Sequence, residues 1–87
     1  MMQVEIITPD KKLFVGEATL VRLPGSDGVF EIMNNHAPIV SSLQKGLIKV
    51  IDPNKAEHIY KVTGGLVECS FNQVSVLTVE DTETEEV

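Results

Sequence analysis

At 87 residues the chain has room for one small domain, and its 43% of hydrophobic residues must be well arranged, because a fold of this size hides only roughly 60–65% of its unfolded surface. The net charge is −6, with five of the 13 acids in residues 80–87 and a nearly balanced body of eight acids against seven Lys and Arg, which excludes a basic surface for nucleic acid or anionic lipid. A single cysteine excludes an internal disulfide, and no apolar run approaches the roughly 18 residues of a membrane helix.

In chain order, Val4, Ile6 and Thr8 alternate with Gln3, Glu5 and Ile7, a half-buried strand pattern. Pro9 to Lys12 turns the chain into a short strand at Leu13-Phe14-Val15, and Gly16 marks a bend or bulge. Ala18 to Leu23 reads as a third strand. Ile39 to Leu43 and Leu47 to Ile51 are β-branched runs separated by a turn at Lys45-Gly46. Asp52-Pro53-Asn54-Lys55 is a strong turn, with Asp at its first position and Pro at its second. Glu57 to Thr63 forms the opposing arm, and Gly64-Gly65 breaks or bends it. Leu66 to Phe71 and Gln73 to Val79 make a last hairpin across Asn72. Nine or ten short strands at intervals of about 8–12 residues predict an all-β sandwich or barrel. No stretch has helical periodicity and no repeat is evident. Residues 1–79 read as one domain, and residues 80–87 as a flexible acidic tail, since charges so dense repel one another.

The stretch Leu23–Pro38, LPGSDGVFEIMNNHAP, is the most structured part of the pattern. Pro24-Gly25 and Asp27-Gly28 are turn pairs, and Asn34-Asn35 tolerate left-handed backbone. Between them Phe30 and Ile32 share one face of a strand, and Val29, Glu31 and Met33 the other. Pro38 holds Ala37 extended. If Phe30 and Ile32 point inward, Val29 and Met33 lie on the surface of a projecting loop, which suggests a protein contact.

Signatures of catalysis and cofactor binding are missing. His36, His58 and Cys69 stand singly, without the spacing a zinc site needs. No Gly-rich loop leads into Lys and Ser or Thr, as a phosphate-binding loop would. Cys69 shares strand parity with Val67 and Phe71, a packing position. Glu31 and Asp27 read as solvated carboxylates. His36 reads either as a histidine that hydrogen-bonds its own loop or as part of a partner surface. No metal and no cofactor is expected.

LPGSDGVFEIMNNHAP closely resembles a signature of the epsilon subunit of F-type ATP synthase, and the likeness continues through Ser42–Gly46, Val62–Glu68 and Asn72–Leu77. It covers about Val4 to Thr78. The resemblance implies an all-β sandwich that is a non-catalytic part of the rotor, coupling the gamma subunit to the membrane c-ring in proton-driven ATP synthesis. Carried onto this sequence, the c-ring contact falls on Ser26, Asp27, Gly28, Val29, Phe30 and Glu31. The gamma contact falls on Thr8, His36, Ala37, Pro38, Ser41 and Ser42. Family members are often acidic or polar where Val29 stands, so Asp27 or Glu31 is expected to supply charge there. Most members continue into a C-terminal helical hairpin, and the expectation here is a short form without that inhibitory element. With no signal peptide or Arg- and Ser-rich leader in evidence, the expected location is peripheral, on the cytoplasmic face of a bacterial inner membrane. A mitochondrial subunit of the same fold, there called delta, is a further option. The rival class is a free-standing small-molecule-binding sandwich or a cupin-like enzyme using His36, His58 and Glu31.

Overall fold

Eight strands and their turns make up residues 1–82, the part of the chain that the computed structural model describes. They are β1 (Met2–Ile7), β2 (Lys12–Ala18), β3 (Leu20–Gly25), β4 (Gly28–Met33), β5 (Ile39–Leu43), β6 (Gly46–Ile51), β7 (Glu57–Ser70) and β8 (Gln73–Glu80). The strand order β2-β1-β8-β7-β5 forms one side of the sandwich, and β4-β3-β6-β7 the other. β7 belongs to both. Its first half pairs with β6 from Val62 back to Glu57, and its second half pairs with β5 and β8. Neighbours are antiparallel except β1 and β8, which run parallel with Gln3 opposite Gln73 and Ile7 opposite Leu77.

Two strands expected on either side of Gly64-Gly65 are thus one 14-residue strand. The glycines bend the strand without ending it. Both have positive φ, 153° and 146°, a region open essentially to glycine. The register slips between Val62 and Gly65, leaving an extra residue on β7 as a bulge does. A Cβ on Gly65 would strike the Leu77 carbonyl oxygen. The Thr78 hydroxyl donates to the Gly64 carbonyl and satisfies the bend. Bending β7 is what lets one strand pass from one side of the sandwich to the other.

The core follows the alternation read from the sequence. Met2, Val4 and Ile6 of β1, Val21 and Leu23 of β3, Ile48 and Val50 of β6, and Val74 and Val76 of β8 are all buried. Val62 and Val67 point inward from the two halves of β7, with Ile32 inward from β4. Each such side chain contributes up to about 1.5–3 kcal/mol by leaving water.

At the C-terminal end the acidic segment set off at residue 80 begins inside the fold. Glu80 closes β8 opposite Val62. Asp81 is buried, its backbone N–H donates to the Lys61 carbonyl, and its carboxylate lies 3.6 Å from Lys45 Nζ. The rest of that segment, residues 83–87, lies outside the described residues.

Candidate functional site

The β3–β4 hairpin is built differently from its turn signals. Gly25 pairs with Gly28, so Ser26 and Asp27 are the two loop residues, and neither Pro24-Gly25 nor Asp27-Gly28 is the turn. Pro24 is tolerated within β3 because that strand no longer pairs with β6 beyond Arg22. Gly25 must be glycine, since an added Cβ would sit 2.6 Å from the Gly28 oxygen and 2.8 Å from the Phe30 ring. Phe30 and Ile32 do face the core, and Val29 and Met33 face out, 66% and 53% exposed. Glu31 is held by Arg22 across the ladder, with Nε at 3.0 Å and Nη2 at 2.8 Å from one carboxylate oxygen.

This tip is tied to β5. The Ser26 N–H donates to the Ser42 carbonyl at 3.0 Å, and the two hydroxyls meet at 2.8 Å. Gln44 adds a backbone bond to the Pro24 carbonyl and a side-chain bond to the Gly25 carbonyl, 2.8 and 3.0 Å. The structure therefore brings Ser42, read as a gamma contact, against Ser26, read as a c-ring contact. Ser41 is half-buried behind it and donates its hydroxyl to the Ser42 carbonyl.

Thr8 lies at the same end. Its hydroxyl accepts the N–H groups of Asp10 and Lys11 and donates to the Lys11 carbonyl, closing the β1–β2 turn. Ser42, Leu66, Leu77 and Ile7 form one rung across β5, β7, β8 and β1. Beside it an open groove of about 550 Å³ is lined by Ile7, Thr8, Pro9, Gly64, Leu77 and Val79, almost wholly apolar. Val40, Leu66, Leu77 and Val79 are all more than two-fifths exposed on this outer face. The sequence reading missed the groove. Its signal was there in the outward parity of Leu66, Leu77 and Val79.

His36, Ala37 and Pro38 lie at the other end of β4, so the set read as the gamma contact is divided between two ends of the sandwich. The His36 N–H donates to the Met33 carbonyl at 3.1 Å, and its Nδ1 lies 2.6 Å from the Ala37 carbonyl, which an Nδ1–H tautomer satisfies. These bonds hold the loop's shape. Asn35 (φ 66°) meets Asn72 (φ 59°) of the β7–β8 turn. Asn72 Oδ1 accepts the Asn35 N–H at 2.7 Å, Asn72 Nδ2 donates to Asn35 Oδ1 at 3.2 Å, and the Asn72 carbonyl accepts the Gln3 N–H at 2.8 Å. Phe71 does not share the burial of Cys69 and Val67. β7 ends at Ser70, and Phe71 turns out at φ 49° to stand 90% exposed. A left-handed conformation costs a non-glycine residue roughly 1–2 kcal/mol.

His36, His58 and Glu31 are not brought together. Glu31 is on the outer face with Arg22. His58 Nε2 lies 2.9 Å from Asp52 Oδ2, and its ring packs at 5.2 Å on Phe14. That contact, and the Asn54 and Ala56 N–H groups on its other oxygen, hold the Asp52 carboxyl below its usual range. Cys69 is buried, which pushes its thiol pKa up.

The family model of the ATP synthase delta/epsilon chain, beta-sandwich domain, matches residues 1–83. The chain is 40% identical over 76 residues to the ATP synthase epsilon chain of Chlorobium limicola, covering 87% of this chain and 86% of that one. It is 35% identical over 79 residues to the epsilon chain of Rickettsia typhi, covering 88% and 72%. The fold matches a chain of Euglena gracilis mitochondrial ATP synthase (OSCP/F1/c-ring) with a TM-score of 0.85 at 18% identity, over 91% of this chain and 51% of that one. It also matches a chain of the Tetrahymena thermophila mitochondrial ATP synthase central stalk and c-ring with a TM-score of 0.75 at 17% identity, over 91% and 63%. With a matched signature, sandwich and relatives in agreement, the chain belongs to the ATP synthase delta/epsilon chain beta-sandwich family.

Proposed function

We propose that this chain is a non-catalytic coupling element of the rotor, binding gamma through one surface and the c-ring through another. The carrying observation is the direct tie between the two regions: Ser26 in the β3–β4 loop is hydrogen-bonded through both backbone and side chain to Ser42 of β5. The c-ring surface is the hairpin tip from Ser26 to Glu31, where Val29 projects and Gly28 is open to solvent. The gamma surface is the outer face of β5, β7 and β8, from the apolar groove beside Thr8 and Ser42 towards His36, Ala37 and Pro38. The groove's lining offers apolar contact with few polar groups, which favours a protein surface over a polar small molecule. Torque crosses between the surfaces because close-packed β structure deforms little. The chain is accordingly peripheral to the membrane and inert alone, and its bacterial relatives favour the cytoplasmic face of a bacterial membrane.

The test is made in membranes carrying the assembled enzyme. A Val29→Cys chain is expected to cross-link to the c-ring, and a Thr8→Cys chain to gamma. Membranes lacking the chain are expected to lose proton-driven ATP synthesis. Cross-links to neither subunit, or full coupling without the chain, would overturn the proposal.

A further inference from the structure

Phe71 occupies a position that combines two unfavourable features. The two-residue β7–β8 loop, Phe71-Asn72, has both φ angles positive, 49° and 59°, as the tightest hairpin turns require, and such loops favour Asn, Asp or Gly. Phenylalanine is poorly suited to the first of these positions. Its ring makes no core contact to offset the strain, since it is 90% exposed. The surrounding backbone is nevertheless firmly held. The Asn72 side chain bonds to Asn35 twice and its backbone carbonyl accepts the Gln3 N–H, so β1, the β4–β5 loop and the β7–β8 turn converge on one residue. A cleft of about 410 Å³ opens between Phe71 and the His36-Ala37-Pro38 segment. Strained backbone held by its surroundings is a mark of binding sites.

We infer that Phe71 is a pre-set aromatic anchor that inserts into an uncharged apolar socket on gamma, extending the proposed gamma contact from His36, Ala37 and Pro38 onto the β7–β8 turn. The inference rests on the rotor reading given above. The chemistry of the patch selects a protein occupant. One large ring shares its cleft with the uncharged hydrogen-bonding side chains of Asn35 and Asn72, the composition of an interface hot spot with a polar rim. No Lys or Arg lies in residues 34–38 or 71–73, and the neighbouring Gln3 amide donates to Glu17. Anionic lipid and nucleic acid both call for cations that this end lacks. Gamma is favoured over the c-ring because the cleft is continuous with His36, Ala37 and Pro38, whereas the β3–β4 tip lies at the far end of β4.

The test uses the full chain, the catalytic head carrying gamma but stripped of this chain, and the detergent-solubilised c-ring. Phe71→Asn is expected to bind the head roughly tenfold or more weakly, as loss of an aromatic anchor does. Its free-state Tm is expected to be unchanged or raised, because Asn accepts left-handed backbone and an exposed ring is removed. Phe71→Gly serves as the second variant, with the same expectation for affinity. Wild-type binding to the head with unchanged affinity in both variants would overturn the anchor and leave the rotor reading standing. Failure of the wild-type chain to bind the head would overturn the gamma part of that reading itself. A loss confined to the c-ring, or failure of both variants to fold, would also overturn the anchor.

Discussion

The hydroxyl of Ser26, at the tip of the β3–β4 hairpin, lies 2.8 Å from the hydroxyl of Ser42 on β5, and a backbone bond of 3.0 Å runs beside it. The two residues are 16 apart in sequence, one in the β3–β4 loop and the other on β5. Their pairing makes the projecting loop one body with the strand behind it. A double-mutant cycle with Ser26→Ala and Ser42→Ala is expected to show a coupling of roughly 0.5–1 kcal/mol by urea unfolding, the net worth of one neutral hydrogen bond. Additive effects would mean that the hydroxyl pair carries no energy.

The glycines of the bend and of the tip should respond unequally to a methyl group. Gly28 has φ 131° with open space around it, whereas Gly65 has φ 146° and faces the Leu77 carbonyl. Gly28→Ala is expected to cost about 1–3 kcal/mol from backbone strain alone. Gly65→Ala is expected to cost more, because strain and collision add and β8 must move. Comparing the two Tm values checks the order.

Asp52 links the β6–β7 turn to His58, and its carboxyl is held below the ordinary 3.8 chiefly by that hydrogen bond. A lowered folded-state pKa contributes stability that is complete above the unfolded value and lost as pH falls through the folded value. The wild-type chain is therefore expected to lose this contribution only in acid, below about pH 4. Asp52→Asn is expected to be less stable at neutral pH and to lose less between about pH 5 and about pH 2. Urea midpoints measured across that range decide it. Parallel pH curves for the two chains would remove Asp52 from the account.

Cys69 is 1% exposed, between Val74 on β8 and Ile39 on β5, and its thiol is pushed up in pKa by burial. Since the thiolate is the reactive form, a thiol reagent is expected to label it at the rate of opening of the fold and rapidly in denaturant. Fast labelling of the native chain would show that this part of the sandwich opens freely.

Much of this architecture was legible in the order of residues. A strand alternates side chains with a period of two, so alternation alone put Phe30 and Ile32 on one face and Val29 and Met33 on the other, and the fold turns the first pair inward. The turn at Asp52 was equally plain, because an Asp before Pro-Asn caps its own loop, here through Asn54 and Ala56. Other features depended on partners distant in sequence. Pro24-Gly25 carries a turn signal, yet the pairing of β3 with β4 absorbs it into a strand. Gly64-Gly65 signals a break, yet pairing to β5, β6 and β8 carries β7 through a bend there without ending it.

The sequence by itself determined the strand character, which residues share a strand face, and a membership carried by LPGSDGVFEIMNNHAP, because all three are local or periodic properties. Only the tertiary structure decided which surface residues share an end: Thr8 with the groove and Ser42, His36 with Asn72 and Phe71. It also decided that Phe71 leaves the core, since the β7–β8 register ends the strand one residue earlier, at Ser70. Neighbours across a sandwich are chosen by backbone pairing between segments tens of residues apart, and no local pattern records that choice.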